Sequence, residues 1–399
     1  MSETAPTLPA KPTGWAWLVA RLTRVTSRGE YIPALDGLRW LAMALVFVQH
    51  FQLAIVSTTL DRSVTPDPGL RTLYDVRVSV ELFFVISGFI LGVPFVNERV
   101  LKTERVELRA YFLRRLTRIE PPYAIALAIF TGAWLLLGRD PVTTLSHALA
   151  SLFYVHNLVY GPFHPQAINM VTWSLEIEVQ FYLLAPLFAH VFFIASARAR
   201  RTTLVVAIVV SSVLVELSRR AGYEPPLSII TQIPYFAAGF LLADLYAVDW
   251  KTQPPTHWRW DVVALSAWAA LPFAATAAIP MRDLAIATVL FIAFVGSFRS
   301  IGTRAFLGWV PVRLLGGMCY STYLFHYNLV MVVWRYVFAA DLLGAGSASG
   351  ARWIDTLAYG ALMFVLLFPV FLLFYLTVEH PFMNNKWWKR LMPKARATA

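Results

Sequence analysis

The chain reads as an all-α protein, a polytopic membrane bundle of about ten transmembrane helices. Three observations predict this. Of its 399 residues 58% are hydrophobic and 14% are charged, against about 25% charged in an average soluble domain. The mean hydropathy is +0.59. Apolar runs of about 20 residues recur along the chain, the length an α-helix needs to cross a bilayer. Lipid offers the backbone no hydrogen-bond partners, so a spanning segment is a helix or a closed-barrel strand. These runs are far longer than the ~10-residue strands of a barrel.

The elements follow in order. Residues 1–30 form an N-terminal tail, Pro-rich at first, with no cleavable signal pattern. Within it, Trp15 to Val25 places Trp15, Trp17, Leu18 and Leu22 beside Arg21 and Arg24, which reads as a short interfacial helix. The membrane domain occupies 31–382, with spans expected at 38–59, 76–97, 119–137, 171–195, 203–217, 228–248, 261–280, 282–298, 317–340 and 356–378. Segment 145–160 is apolar and is expected in the interface or dipping into the membrane. Residues 383–399 form a basic C-terminal tail, with no catalytic domain expected outside the membrane.

The formal net charge of +11 marks cytoplasmic loops better than nucleic-acid binding. With the N-terminus inside, 24 of the 34 Lys and Arg fall in inward segments and 9 in outward ones. This bias supports both termini in the cytoplasm and puts Arg39 at the cytoplasmic end of the first span. The single cysteine, Cys319, excludes a disulfide framework and a thiolate metal cluster. No internal repeat is evident, which disfavours an inverted-repeat transporter.

Ionisable side chains near a bilayer centre cost about 2.5–3.5 kcal/mol or more, so they are rarely without purpose. The first span opens Leu35-Asp36-Gly37-Leu38-Arg39 and reaches Gln49-His50. Eleven residues are about three turns, so Arg39 and His50 share a face, ~16 Å apart along the axis. The second span holds Glu81 and, deeper, Ser87-Gly88, a small patch where a helix or substrate can approach. Arg115 and Arg118, three apart, share a helix face. They anchor the orientation or clamp a phosphate-rich donor, since arginine pairs bidentately with phosphate. Glu176 and Glu178 follow Trp173 in the fourth span and point different ways, with Glu178 deeper. His326 is a second intramembrane imidazole, structural or catalytic. The spacing of His50, Glu81, Glu178 and His326 is not that of a metal site. No Gly-rich phosphate loop or nucleophile elbow is present.

These blocks, taken in order, resemble the acyltransferase-3 family of bacterial membrane acyltransferases. They are Leu35–Arg39 with His50, Phe83–Phe89, Arg115 with Arg118, Trp173–Tyr182, Tyr320–His326 and Glu379–Phe382. The resemblance runs from about Tyr31 to Phe382. It implies ten membrane helices in the cytoplasmic (inner) membrane and transfer of an acyl group, usually acetyl, from cytoplasmic acyl-CoA as co-substrate. No bound cofactor or metal is implied. The acceptor is a hydroxyl of a glycan, lipid-linked sugar, envelope polymer or secreted natural product. By position, His50 is the essential histidine, Arg39, Arg115 and Arg118 are the donor-side arginines, and Glu178 is the acid of its block. The chain departs from the pattern at Glu81, where the family usually has Asp, at Val179, where a second acid is common, and at Cys319, which replaces a Ser. No esterase-like outer domain of the kind some members carry is expected.

The mechanism expected from this is donor docking on Arg115, Arg118 and Arg39, with His50 as general base or transient acyl carrier and Glu178 orienting or protonating a partner. Asp36, Glu81, Ser87 and His326 are further candidates. A different class of reading is a transporter that moves acyl groups or a small solute for a separate transferase along the same polar track.

Overall fold

The computed structural model describes residues 14–24, 31–60, 78–161, 163–164, 167–275, 279–338 and 353–383. The expected C-terminal tail beyond 383, most of the N-terminal tail and the outer segment 62–77 with its three arginines lie outside them. Helix α1 (Gly14–Leu22) is followed by α2 (Pro33–Leu60), α3 (Ser79–Arg99), α4 (Leu108–Leu136), α5 (Pro141–Leu152) and α6 (His156–Tyr160). Next come α7 (Trp173–Phe188), α8 (Ala197–Arg220), α9 (Ile229–Asp244), α10 (Arg259–Ala275) and α11 (Arg282–Arg299). The last are α12 (Gly302–Gly308), α13 (Val310–Gly317), α14 (Cys319–Val333), α15 (Trp353–Phe374) and α16 (His380–Phe382). No strand occurs among the described residues.

Within the described residues a helix occupies most of each of the ten expected spans. Among the described residues seven stretches are long and apolar enough to cross a bilayer, or eight if α11 and α12, bent by 87°, form one span. Helix α10 has 17 residues, ~26 Å at 1.5 Å per residue, short of a ~30 Å hydrocarbon core. Helix α14 is diluted by Ser321, Thr322, His326 and Asn328. Residues 145–160 form parts of α5 and α6, of 12 and 5 residues, each too short to span. On α5 the apolar Val142, Leu145, Leu149 and Phe153 face outward while Thr144, His147 and Ser151 are buried. That inverted pattern suits a helix bathed on one side by lipid.

Local chemistry starts these helices. Asp140 caps α5 by accepting from the Thr143 amide at 2.8 Å, with Pro141 at the first helical position. A reciprocal capping box of Ser228 and Thr231 starts α9. Helix α4 begins at Leu108, 11 residues before the expected span, so Arg115 and Arg118 already lie within a continuous helix. Pro121 and Pro122 remove the ladder bonds to the Thr117 and Arg118 carbonyls just beyond them.

Between helices in lipid, close backbone packing replaces the hydrophobic drive. A Cβ at Gly239 of α9 would lie 2.4 Å from the Val85 carbonyl oxygen of α3, so this crossing tolerates only glycine. A Cβ at Gly316 of α13 would lie 1.7 Å from the Asp36 carbonyl oxygen, which seats α13 directly on the start of α2. Two large apolar cores result, with a small third one around Met318, Tyr375 and Met383. One joins α3, α7, α9 and α11; the other joins α2, α4, α14 and α15. Charged and polar side chains collect where the two meet.

Candidate active site

His50 of α2 and His326 of α14 form a hydrogen-bonded pair, His50 Nδ1 to His326 Nε2 at 3.0 Å. His326 is fully buried. Its Nδ1 lies 2.9 Å from the Tyr323 carbonyl and 3.1 Å from that of Thr322. A carbonyl accepts only, so His326 Nδ1 carries a hydrogen. None of these bonds is to a carboxylate, and in the neutral pair each ring carries one hydrogen. His326 Nε2 is then an acceptor, and His50 Nδ1–H must donate to it. The hydrogen-bond chain therefore leaves the lone pair of His50 on Nε2. Tyr327 lies edge-on to His50 at 5.2 Å, and Phe47 flanks His326.

Glu178 of α7 is held by two hydroxyls. Ser87 Oγ of α3 donates to Oε1 at 2.8 Å, and Tyr182 Oη, one turn on, donates to the same oxygen. Arg115 and Arg118 face this carboxylate electrostatically. The Arg115 guanidinium stacks 4.2 Å from the centre of the Tyr111 ring, and its Nε is buried without a partner. One turn before Glu178, the Ser174 hydroxyl meets Tyr323 Oη at 3.1 Å. Tyr323 is also the residue whose carbonyl fixes His326, so α14 links the carboxylate cluster to the imidazole pair.

At the start of α2, Asp36 accepts from Arg39 and from Arg24 Nη1, the latter at 3.3 Å. Arg118 and Arg313 face the same carboxylate. Tyr31 bonds to both Asp36 and Arg313, and burial followed by the Asp36 charge pushes its hydroxyl up to about 12. Glu379 accepts from the Ser321 amide at 2.8 Å and from its hydroxyl at 2.5 Å, and faces Arg118 and Arg24.

The structure thus brings Ser87, Glu178, Arg115 and Arg118 together, joins Asp36 to Arg39, and joins His50 to His326. Glu81 does not enter these groups; it faces Tyr235, whose hydroxyl donates to Asp283 at 2.9 Å. Tyr182, Tyr323, Arg24, Arg313 and Glu379 are members that the sequence did not single out. Glu379 and Tyr182 stand inside quoted blocks, and Arg24 on an amphipathic segment, but nothing local marks their partners. No three His, Cys, Asp or Glu side chains converge as a metal ion needs among the described residues.

A membrane helical bundle with a buried imidazole pair and arginine-flanked carboxylates defines the class, and sequence comparison supplies the family. Residues 32–378 match the model of the acyltransferase domain family, and the chain belongs to it. Among similar proteins is the O-acetyltransferase OatA of Staphylococcus aureus strain NCTC 8325, 24% identical over 335 residues, covering 77% of this chain and 52% of that protein. The OatA of strain COL gives the same values. A putative O-acetyltransferase of strain COL is 29% identical over 165 residues, 39% of this chain and 24% of its own. The chain spans about half the length of the OatA relatives it matches. No solved structure matches it.

Proposed function

We propose that this chain is a multi-pass O-acetyltransferase of the bacterial cytoplasmic membrane, with both termini inside. In this reading it moves an acetyl group from cytoplasmic acetyl-CoA to a hydroxyl of a glycan, lipid-linked sugar or secreted small molecule. The observation that carries the reading is the bonding order His326 carbonyls, His326, His50, which leaves a basic nitrogen on His50. Similarity to OatA supports the acetyl group and the hydroxyl acceptor.

The acceptor hydroxyl gives its proton to His50 Nε2 as its oxygen attacks the thioester carbonyl. The C–S bond then breaks, and the departing thiolate takes the proton back. A positioned base of this kind contributes roughly 10²–10⁴-fold. Positive charge arriving on His50 is shared with His326 through their common hydrogen bond, and the Tyr323 and Thr322 carbonyls stabilise it. If acetyl passes first onto the imidazole, the same nitrogen accepts it. Arg115 and Arg118 hold donor phosphates, and Glu178, fixed by Ser87 and Tyr182, orients these arginines. Arg39 is oriented by Asp36.

The test uses purified protein in vesicles with acetyl-CoA and total envelope glycans, following thiol release and label transfer. His50→Ala is expected to lose at least about 100-fold in rate while keeping its melting temperature. Full transfer by His50→Ala overturns the mechanism. Transfer that requires a second added protein overturns the enzyme reading in favour of a carrier of acyl groups.

A further inference from the structure

The arginines around Asp36 outnumber the carboxylates. Arg24, Arg39, Arg118 and Arg313 face Asp36 and Glu379, four guanidinium groups to two carboxylates in a largely buried setting, with Arg118 shared with Glu178. Arg24 and Arg118 face each other as like charges. The Nε atoms of Arg24 and Arg313 are buried and have no partner. Buried charge that is neither paired nor fully hydrogen-bonded is costly, and guanidinium groups in this state suit an anion with several oxygens.

Arg24 reaches this place because α1 is docked. Tyr375 Oη donates to the Leu22 carbonyl at 2.9 Å. Thr23 closes the helix by donating to the Val19 carbonyl at 2.6 Å. A Cβ on Gly317 of α13 would lie 3.5 Å from Arg24 Cβ, so α1 passes directly over that helix end. Arg24 also precedes residue 32, the first that the family model matches. It therefore lies outside the matched stretch, on the segment that carries α1.

We propose that Arg24, clasped over the bundle by α1, and Arg313 complete an anion site that grips the phosphate groups of the donor. The site deepens the donor reading above and rests on it. The ligand is a phosphate-rich, pyrophosphate-bearing molecule. Arginine chemistry of this kind serves a soluble donor or an anionic lipid headgroup alike, and the proposal commits to the donor.

The experiment measures binding of coenzyme A and of inorganic pyrophosphate by calorimetry. The full chain is held in nanodiscs of zwitterionic lipid, with and without phosphatidylglycerol. Arg24→Gln and Arg313→Gln are each expected to weaken coenzyme A by about 10-fold, and Arg24→Lys to recover part of the loss. Arg139→Gln, which removes the cation stacked 3.4 Å over Trp134, leaves the affinity unchanged. Melting temperatures establish that each variant is folded. Wild-type affinity in both Gln variants, with Arg118→Gln still weakened, overturns this inference and leaves the donor reading standing. Arg24-dependent binding of pyrophosphate without any binding of coenzyme A keeps the anion site and overturns the donor reading. An effect of Arg24→Gln confined to discs containing phosphatidylglycerol assigns the site to lipid and overturns the proposal.

Discussion

Two of the buried arginine–carboxylate clusters among the described residues are built differently. In the first, Asp244 of α9 is fully buried between Arg200 and Arg201 of α8, with Nε to carboxylate distances of 2.5 and 2.6 Å. Arg200 Nη1 is bonded to the Ile194 carbonyl at 2.9 Å, and Arg201 Nη2 to Asp249 at 2.6 Å. A π-helical turn over Leu245–Asp249 makes this possible. Its wider winding brings residues five apart onto nearly one face, so Asp244 and Asp249 both meet Arg201. Charges balance, and neither guanidinium has a buried nitrogen without a partner. In the second cluster, around Asp36 and Glu379, arginines are in excess and two of their nitrogens lack partners. The first arrangement is what a structural lock requires. The second leaves guanidinium nitrogens unused, which is the feature the proposed anion would satisfy.

Breaking the lock is expected to give the largest stability effect. Asp244→Ala leaves two guanidinium groups around an empty position, one of them almost wholly buried, a loss of about 3–5 kcal/mol. Thermal unfolding in detergent should show a markedly lower midpoint, whereas transfer per folded molecule stays near the wild-type value. A wild-type midpoint would mean that water enters and solvates Arg200, and the contrast between the clusters would lose its basis.

The second cluster should respond in the opposite way. Arg118→Gln removes one of several facing cations and so relieves repulsion with Arg24. Its unfolding midpoint is expected within a few degrees of wild type, while the donor KM rises about 10-fold, equivalent to ~1.4 kcal/mol. Initial rates over a range of acetyl-CoA concentrations check this. A collapse of the fold comparable with that of Asp244→Ala would make the second cluster a lock as well.

The contrast also explains what could be read without coordinates. Apolar runs announce spans, and an ionisable residue inside such a run stands out at once, as Arg39, His50, Glu178 and His326 do. Pairing does not announce itself. His50 and His326 are 276 residues apart, and no local pattern encodes their hydrogen bond. Glu81, like Glu178, is an acid inside an apolar run, yet α3 turns it toward Tyr235, while Ser87 further along meets Glu178. Arg24 reads as an interfacial anchor because its role depends on where α1 docks. Helix ends are less legible than spans. Arginines in the first turns of α4 look like a loop by hydropathy, but the helix already begins at Leu108.

The smallest expected effect concerns a third cluster that belongs to neither type. His147 of α5 and His156 of α6 share a hydrogen bond, Nδ1 to Nε2 at 2.8 Å, with both rings buried. Tyr160 stacks on His147 at 3.9 Å and His164 at 4.9 Å. Burial, then the neighbouring His147 and His164, hold His156 at about 4, below the usual imidazole value of 6.5. The folded protein therefore keeps His156 neutral over a range in which the unfolded chain binds a proton. Its contribution is full above about pH 6.5, declines as pH falls toward 4 and is gone below that, on the order of 1 kcal/mol. Helix α6 is anchored to α7 through the Asn157 amide and Glu176 at 2.9 Å and through the Asn157 side chain and the Trp173 carbonyl at 3.1 Å. Loosening the imidazole pair should thus register as faster amide exchange over residues 156–160 at pH 5 than at pH 7.5, after correction for intrinsic rates. His156→Gln should flatten that difference. Exchange that is equally pH-dependent in the variant would assign the effect to the Glu176 anchor, and would place this segment with the locks.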